Sequence, residues 1–323
     1  MILIFTSGSA EEGFGHVYRT VSIVSELKRR LIAVHCIVRF NTQVVGILER
    51  NRVEYSCVNS VDEFLGFFSS IDTVSIVIDS RQDLSLEIEL TKRRGISVVQ
   101  IDCLDETRRQ ADINIYPNPH FMFDQMDWSG YNGKVVGGAD YTVIHSRFLE
   151  MRSQLPNAID RQRILISMGG SDPNRLTPLL MTWLEKMSWP VEVVIGPGMP
   201  NGKDLELLSD SLNITHHSGH DDLAPLMSRS GVLITGLGVS IYEAAVLKLP
   251  AIVIQNFERD AADAMQLALV EGVFPLGFFK DVNSDLVRSA VNQVIDNYDH
   301  YSSAVGELVD GLGARRIVDL LVS

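Results

Sequence analysis

Two glycine-rich turns, about 150 residues apart, constrain this chain more than any other feature. Each follows an apolar run that reads as a strand, and each is expected to open a helix. The first ends in Gly13-Phe14-Gly15-His16, followed by Arg19; the second is Ser167-Met168-Gly169-Gly170-Ser171-Asp172-Pro173. A glycine turn at a helix start presents unpaired backbone N–H groups, and the helix dipole adds to their pull on an anion. Strand, turn and helix in that order form the repeating unit of a parallel α/β sheet, whose ligands sit beyond the carboxyl ends of the strands. Two such turns on two halves predict a cleft for a phosphorylated ligand. The histidine at the mouth of the first helix predicts that something is done to that ligand.

The rest of the chain keeps to this scheme. In the first half, strands are expected at Ile2–Thr6, Ile32–Val38, Val53–Val58, Val74–Asp79, Ser97–Asp102 and Ile113–Tyr116, with helices at His16–Arg30, Thr42–Asn51 and Leu84–Gly95. Val74–Asp79 carries β-branched residues on both faces, as buried parallel strands do. Pro117–Gly133 reads as a loop over the cleft. In the second half, strands are expected at Arg163–Ser167, Val191–Ile195, Asn213–His217, Val232–Thr235 and Ala251–Ile254, with helices between them and a final helical stretch over Ser284–Leu321. At 323 residues the chain is long for one core. The polar stretch Ser153–Gln162, broken at Pro156-Asn157, places the boundary between domains 1–155 and 156–323.

Composition narrows the function. Apolar content of 46% and charged content of 21% suit a soluble globular protein. The opening apolar run stops at Ser7 without basic residues before it, so it reads as a first strand and not a signal peptide. No apolar run of about 18 residues predicts a membrane helix. Cys36, Cys57 and Cys103 are odd in number and lie in or beside strands, so buried reduced thiols and a cytoplasmic location are expected. The net charge of −13 argues against nucleic acid or an anionic membrane surface as partner. Any anion site here is therefore local.

Three constellations carry candidate chemistry. In Gly13-Phe14-Gly15-His16-x-x-Arg19, the helix N-terminus disfavours imidazolium, which suits His16 to accept a proton from water or a hydroxyl. Arg19, one turn on, is placed to meet a phosphate or to orient a carboxylate; the plainer reading is a helix start with a satisfied histidine. Gly169, Gly170 and Ser171 make a phosphate-sized nest without the Lys-Ser/Thr ending of a P-loop. Thr235-Gly236-Leu237-Gly238-Val239-Ser240-Ile241-Tyr242-Glu243 is a third turn. There, Gly238, Val239 and Ser240 could hold a phosphate while Glu243 accepts from both hydroxyls of a ribose, or merely favours the helix start. His216, His217 and His220 look metal-like, but neighbours on a strand face opposite ways, so no metal site is expected. Asp221-Asp222 reads as a helix cap. Trp128, Trp183 and Trp189 form no stacking platform for single-stranded nucleic acid.

These segments, with Lys248-Leu249-Pro250 and the terminal Asp310-Gly311-Leu312-Gly313-Ala314-Arg315-Arg316-Ile317-Val318, resemble the UDP-sugar hydrolase of pseudaminic acid biosynthesis. They also resemble the wider spore-coat polysaccharide glycosyltransferase-like group, related to the peptidoglycan N-acetylglucosaminyltransferase acting on lipid-linked precursors. The resemblance runs over nearly the whole chain. It implies a GT-B fold: two Rossmann-like, doubly wound parallel-sheet domains facing a cleft, with a final helix crossing back to the first. It implies UDP held mainly by the second domain, and His16 as the base that activates water. Gly169, Gly170, Ser171, Gly238, Val239 and Ser240 would line the diphosphate, and Glu243 would take the ribose. Asn256 matches a family asparagine near the sugar, counted with His16 as catalytic. Gly15, Arg19 and Tyr141 match substrate contacts. No metal and no cofactor are implied. The activity implied is hydrolysis of a UDP-activated acetamido sugar in nonulosonic acid or surface-glycan biosynthesis. An inverting UDP-sugar glycosyltransferase and a non-catalytic UDP-sugar-binding protein stand as alternatives. Two positions depart from the hydrolase pattern: Asp79-Ser80-Arg81 stands where Asp-His-Tyr is usual, and Phe257 stands where Gln follows the asparagine.

Overall fold

The computed structural model describes residues 1–9, 13–70, 75–118, 123–196, 198–218 and 222–322. The chain divides into two units, Met1–His145 with Gly311–Ser323, and Ser146–Asp310. The first unit thus ends ahead of the polar break read from the sequence, and it regains the chain's last residues.

The first unit is built on strands β1 (Ile2–Thr6), β2 (Val34–Val38), β3 (Tyr55–Cys57), β4 (Ser75–Asp79), β5 (Ser97–Ile101), β6 (Ile113–Tyr116) and β7 (Lys134–Gly137). Among the described residues these form one sheet in the order β3-β2-β1-β4-β5-β6-β7. All pairs are parallel, with Ile4 opposite Cys36 on one side and Val77 on the other. Between the strands lie α1 (Gly15–Arg29), α2 (Thr42–Arg50), α3 (Val61–Ser70) and α4 (Ser85–Arg93). Alternation along β1 sends Ile2 and Ile4 to one face and Leu3 and Phe5 to the other. The first pair packs with Val17, Val21 and Val24 of α1. The second packs with Phe64, Leu84 and Ile88 on the opposite face. A sheet buried on both faces explains why its strands read as continuous apolar runs.

The second unit opens with α5 (Ser146–Arg152). Its strands are β8 (Ile164–Ser167), β9 (Val191–Ile195), β10 (Thr215–Ser218), β11 (Val232–Gly236), β12 (Ala251–Gln255) and β13 (Val273–Phe278), in the order β10-β9-β8-β11-β12-β13. The helices are α6 (Leu176–Leu184), α7 (Gly202–Leu212), α8 (Ala224–Ser228), α9 (Ser240–Val246), α10 (Ala261–Leu267), α11 (Ser284–Asp296) and α12 (Tyr298–Val305). Ile164, Ile166, Val193 and Ile234 pack against Leu180, Leu184, Leu205 and Val291 in one core. A last helix, α13 (Gly313–Val322), belongs to the first unit, where Ile317, Val318 and Leu321 enter the core beside α1. Arg30 at the end of α1 donates to Asp319 at 2.6 Å and to the Arg315 carbonyl at 3.1 Å.

Both sheets reverse their winding between the first strand and the fourth. The connections from β1 and β4 leave in opposite directions, as do those from β8 and β11, which opens a crevice at the carboxyl ends of each pair.

Candidate active site

In the first unit the crevice lies between β1 and β4. His16 is in the first turn of α1, and Asp79 is the last residue of β4. The β1–β4 pairing sets Thr6, the last residue of β1, opposite Asp79. His16 is buried, and its Nδ1 lies 2.6 Å from Asp79 Oδ1. Arg19 donates through Nε to Asp79 Oδ2 at 2.7 Å, and a second guanidinium nitrogen reaches Oδ1. The same guanidinium lies 2.9 Å from His16 Nδ1, so that nitrogen is enclosed by both partners. Asp79 has no exposed surface. Burial alone pushes its carboxyl up, but the Arg19 charge and hydrogen bonds, together with those of His16, outweigh it and hold Asp79 below its ordinary value. An ionised carboxylate at Nδ1 fixes the proton on that nitrogen, leaving Nε2 with the ring's open lone pair. Of the two roles read for Arg19, the structure shows the pairing with a carboxylate. Gly15 is exposed at the start of α1, and Tyr141 is half-buried with its ring against the first unit's core.

In the second unit the crevice lies between β8 and β11. Ser167 pairs with Thr235, so the turns after these strands leave side by side. Gly169, Gly170 and Ser171 are exposed, and among the described residues their N–H groups donate to nothing in the chain. Gly198 N donates to the Gly170 carbonyl at 2.8 Å. A side chain at Gly196, just past β9, would come within 2.5 Å of the carbonyl oxygens of both Gly169 and Gly170, so only glycine lets the two turns close on each other. One expectation is corrected here. The turn after β8 does not open directly into a helix: α6 starts at Leu176, and the buried Asp172 already accepts from Leu176 N at 2.9 Å and Thr177 N at 2.8 Å. An anion here would meet the amides of the turn itself, because the helix end is capped.

The turn after β11 behaves similarly. The N–H groups of Gly238, Val239 and Ser240 find no acceptor among the described residues, and Val239 is 54% exposed. Glu243, inside α9, is half-buried, and its carboxylate meets no hydrogen-bond or ion-pair partner among the described residues. Burial first, and then the charge of Asp222, push it up to about 7. Asp222 itself accepts from Ala224 N at 3.0 Å and from Arg147 at 3.0 Å; the N-cap of α8 is Leu223, not the acidic pair expected from the sequence. Past β12, Asn256 is held by Asn174, whose amide donates to its carbonyl at 3.0 Å and its side-chain oxygen at 3.1 Å. Its Nδ2 lies over Gly236, where a side chain would meet it at 2.7 Å. Phe257, next in sequence, is 44% exposed.

The histidine series does not converge. His217 pairs with the buried Glu192 at 2.8 Å, and His216 faces Asp210 at 3.8 Å. His220 and Asp221 lie outside the described residues. Among the described residues no group of three or more metal-capable side chains is present. Cys36 and Cys103 are buried free thiols, with burial pushing Cys36 up to about 12. Cys57 is exposed, contrary to expectation, because β3 is an edge strand.

The sequence reading missed one residue of this site, Asp79 as the partner of His16. The signal was an acid closing a buried β-branched strand. It marked only a departure from a motif.

Comparison with known proteins bears on the fold. The chain matches no described protein-family profile. It is 25% identical to an uncharacterised protein of Methanocaldococcus jannaschii over 80% of this chain and 56% of that one, so it spans little more than half of that relative's length. It is 22% identical to the spore coat polysaccharide biosynthesis protein SpsG of Bacillus subtilis, over 98% of this chain and 96% of the other. It is 23% identical to the UDP-2,4-diacetamido-2,4,6-trideoxy-beta-L-altropyranose hydrolase of Campylobacter jejuni, over 76% of this chain and 88% of the other. Among solved structures, Acinetobacter baumannii MurG superimposes with a TM-score of 0.71 at 13% identity, covering 99% of each chain. Neisseria meningitidis UDP-GlcNAc 2-epimerase, solved with UDP-GlcNAc, gives 0.70 at 14% identity, covering all of both chains. These likenesses show the fold: two Rossmann-like units of the GT-B type. No helix among the described residues is long and apolar enough to cross a membrane.

Proposed function

We propose that this chain is an enzyme that processes a UDP-activated sugar, displacing UDP from the anomeric carbon with water as the attacking group. The observation that carries the reading is the fully buried Asp79 locked on Nδ1 of His16. A binding protein has no need of a histidine with its open nitrogen fixed by a charged partner. In the reaction, His16 Nε2 takes a proton from water, the water oxygen bonds to the anomeric carbon, and the bond from that carbon to the diphosphate oxygen breaks, its electron pair leaving with UDP.

The second unit supplies the nucleotide site. The free amides of Gly169, Gly170 and Ser171, with those of Gly238, Val239 and Ser240, hold the diphosphate and stabilise its growing charge as it departs. The unpaired Glu243 accepts from the ribose hydroxyls, and the open Asn256 amide donates to the sugar. Gly15 and Tyr141 contact the substrate, with Arg19 acting through Asp79. No metal or cofactor is required by this division of roles. The names of the Bacillus and Campylobacter relatives support a place in surface-glycan or nonulosonic acid biosynthesis and an acetamido sugar as substrate. The free cysteines support a cytoplasmic setting.

The alternative, transfer to an acceptor hydroxyl, would use the same base on a sugar hydroxyl in place of water. The test of the main reading is incubation of UDP-sugars, UDP-N-acetylglucosamine first, in H2(18)O without acceptor. UDP release with the label in the anomeric hydroxyl of the free sugar is expected. Label in UDP, or no UDP release from any UDP-sugar, would count against it.

A further inference from the structure

Ser80 and Arg81 depart from the hydrolase pattern, and the mechanism above gives neither of them a role. Their contacts brace the site. The Ser80 hydroxyl lies 2.7 Å from that of Ser7, which follows β1, and it accepts from Gln82 N at 3.0 Å. Arg81 reaches Asp102, one residue past the end of the neighbouring strand β5, and donates to its carbonyl at 2.9 Å and to its Oδ2 at 2.8 Å. The same Oδ2 lies 3.8 Å from the Arg19 nitrogen that is itself 2.9 Å from His16 Nδ1. A line of alternating charge thus runs outward from His16 through Asp79, Arg19, Asp102 and Arg81. Its inner side chains are enclosed, Asp79 at 0% and Arg19 at 14% exposure, and its outer ones are partly open, Asp102 at 20% and Arg81 at 33%.

Asp102 is set in place from several sides. Its N–H donates to the Ile115 carbonyl of β6 at 2.8 Å, the Tyr116 hydroxyl donates to the adjoining Cys103 carbonyl at 2.6 Å, and Arg81 holds its own carbonyl. Its backbone is left-handed, φ +60°, a conformation that aspartate and asparagine adopt more readily than most residues.

The charge of Asp102 bears on the base through Arg19. In the reaction read above, His16 becomes positive as it takes the proton, and Asp79 stabilises that charge. Arg19, bound to Asp79 and close to Nδ1, opposes it. A carboxylate on the far side of Arg19 offsets part of that opposition, and little water reaches Arg19 to screen it. Burial works against the Arg19 charge, but Asp79 and then Asp102 hold the guanidinium above its ordinary value.

We propose that Asp102 and Arg81 are positioning residues for His16: Asp102 shares the Arg19 charge with Asp79, leaving Asp79 more of its own charge for the histidine, and Arg81 sets how much Asp102 has to share. The inference rests on the UDP-sugar reading above.

The test uses the full chain. Asp102→Asn removes the charge and keeps a residue that tolerates the left-handed backbone. It should lower kcat for UDP release about fivefold, the upper end for a partly exposed ion pair and far short of the roughly 10²–10⁴-fold for a lost base, with KM and UDP affinity unchanged. In that variant Arg19 and Arg81 face each other across a neutral group. Adding Arg81→Gln should therefore recover most of the loss, whereas a merely structural role would make the double variant slower still. A second readout needs no turnover: the imidazole 15N signals of His16, read through its carbon-bound protons and assigned by their loss in His16→Asn. Asp102→Asn should weaken the bond from Nδ1–H to Asp79 and move Nδ1 upfield, and Arg81→Gln should move it downfield. The proposal is overturned if Asp102→Asn leaves kcat and the Nδ1 signal native, if KM or UDP affinity changes as much as kcat, or if the double variant is slower than Asp102→Asn. Failure of the UDP-sugar reading would show differently, as no UDP release from any UDP-sugar by the native chain, and the Nδ1 signal would then decide alone.

Discussion

Asp79 and His16 stand 63 residues apart in the chain and 2.6 Å apart in the fold, joined through the histidine nitrogen that faces the protein interior. The contact orders the whole first-unit site. It sets which ring nitrogen carries the proton, and it draws Arg19 down onto the carboxylate.

Replacing Asp79 should therefore damage two things at once. Asp79→Asn can present an amide N–H to Nδ1 and reverse the tautomer, so turnover should fall about 10²–10⁴-fold, the range for losing a positioned base. It also takes from the Arg19 guanidinium, its side chain 14% exposed, its close charge partner and leaves it only Asp102 at 3.8 Å, which should cost up to about 3 kcal/mol in a urea titration. Because the Asp79 carboxyl is held below its ordinary value, its stabilising contribution is present above the unfolded value of about 3.9 and is lost as pH falls through the lower folded value. Native protein should lose this part of its stability in acid, and the Asn variant should not. Normal turnover in a stably folded variant would remove Asp79 from the mechanism.

His16→Asn should lower kcat about 10²–10⁴-fold while leaving UDP affinity near native, since the amides assigned to the diphosphate belong to the other unit. If UDP binding fell as far as the rate, the histidine would be a binding residue instead.

Glu243 yields a prediction with a defined pH window. Its folded value of about 7 lies above the ordinary carboxyl value of 4.5, so the folded state holds the proton more tightly than the unfolded state. The resulting cost to stability is absent below about pH 4.5, grows up to about pH 7, and is complete above it, at about 3 kcal/mol. Glu243→Gln should recover up to that amount at pH 8 and nothing at pH 4. The same change should weaken UDP by about 1–3 kcal/mol, because an amide accepts fewer hydroxyl donors than a carboxylate. Native UDP affinity, measured by calorimetry, should rise from pH 6 to pH 8; a flat profile would argue against a ribose contact.

Turnover should persist in EDTA if, as proposed, the amides of the two turns stabilise the departing diphosphate. Activity lost on chelation and restored by magnesium or manganese would refute this.

Gly196→Ala offers a test of the nucleotide turn without touching it. The added methyl meets two carbonyl oxygens at 2.5 Å, so the Gly169-Gly170 turn must move. UDP affinity should fall at least about tenfold, roughly 1.4 kcal/mol, with the protein still folded by circular dichroism.

What could be read from the sequence follows burial. β1, β4 and β9 are buried along their whole length, and their apolar runs announce them. β7 and β13 escaped notice because they are edge strands: Lys134 is exposed in one, and Pro275 and Gly277 interrupt the other. The glycine turns were visible as spacing, but the Asp172 cap was not, because it holds amides four and five residues further on. The pairing of His16 with Asp79 had no local signature, because it exists only through the β1–β4 register. Loop residues near a candidate site carry identity in their spacing, whereas contacts across strands carry none until the sheet order is known.

The chain leaves the first unit at His145 and returns to it at Gly311, and α13 then lays Ile317, Val318 and Leu321 into a core begun by Ile2 and Ile4. On the ribosome this inverts the usual order of maturation, in which the N-terminal domain finishes first. The unit assigned to the nucleotide emerges as one uninterrupted segment, Ser146–Asp310, and has all its residues before α13 is made. The unit carrying His16 must wait for α13, whose Ile317, Val318 and Leu321 complete the core it shares with α1. Loss of α13 should thus spare the UDP binding proposed for the second unit and forfeit the chemistry proposed for His16.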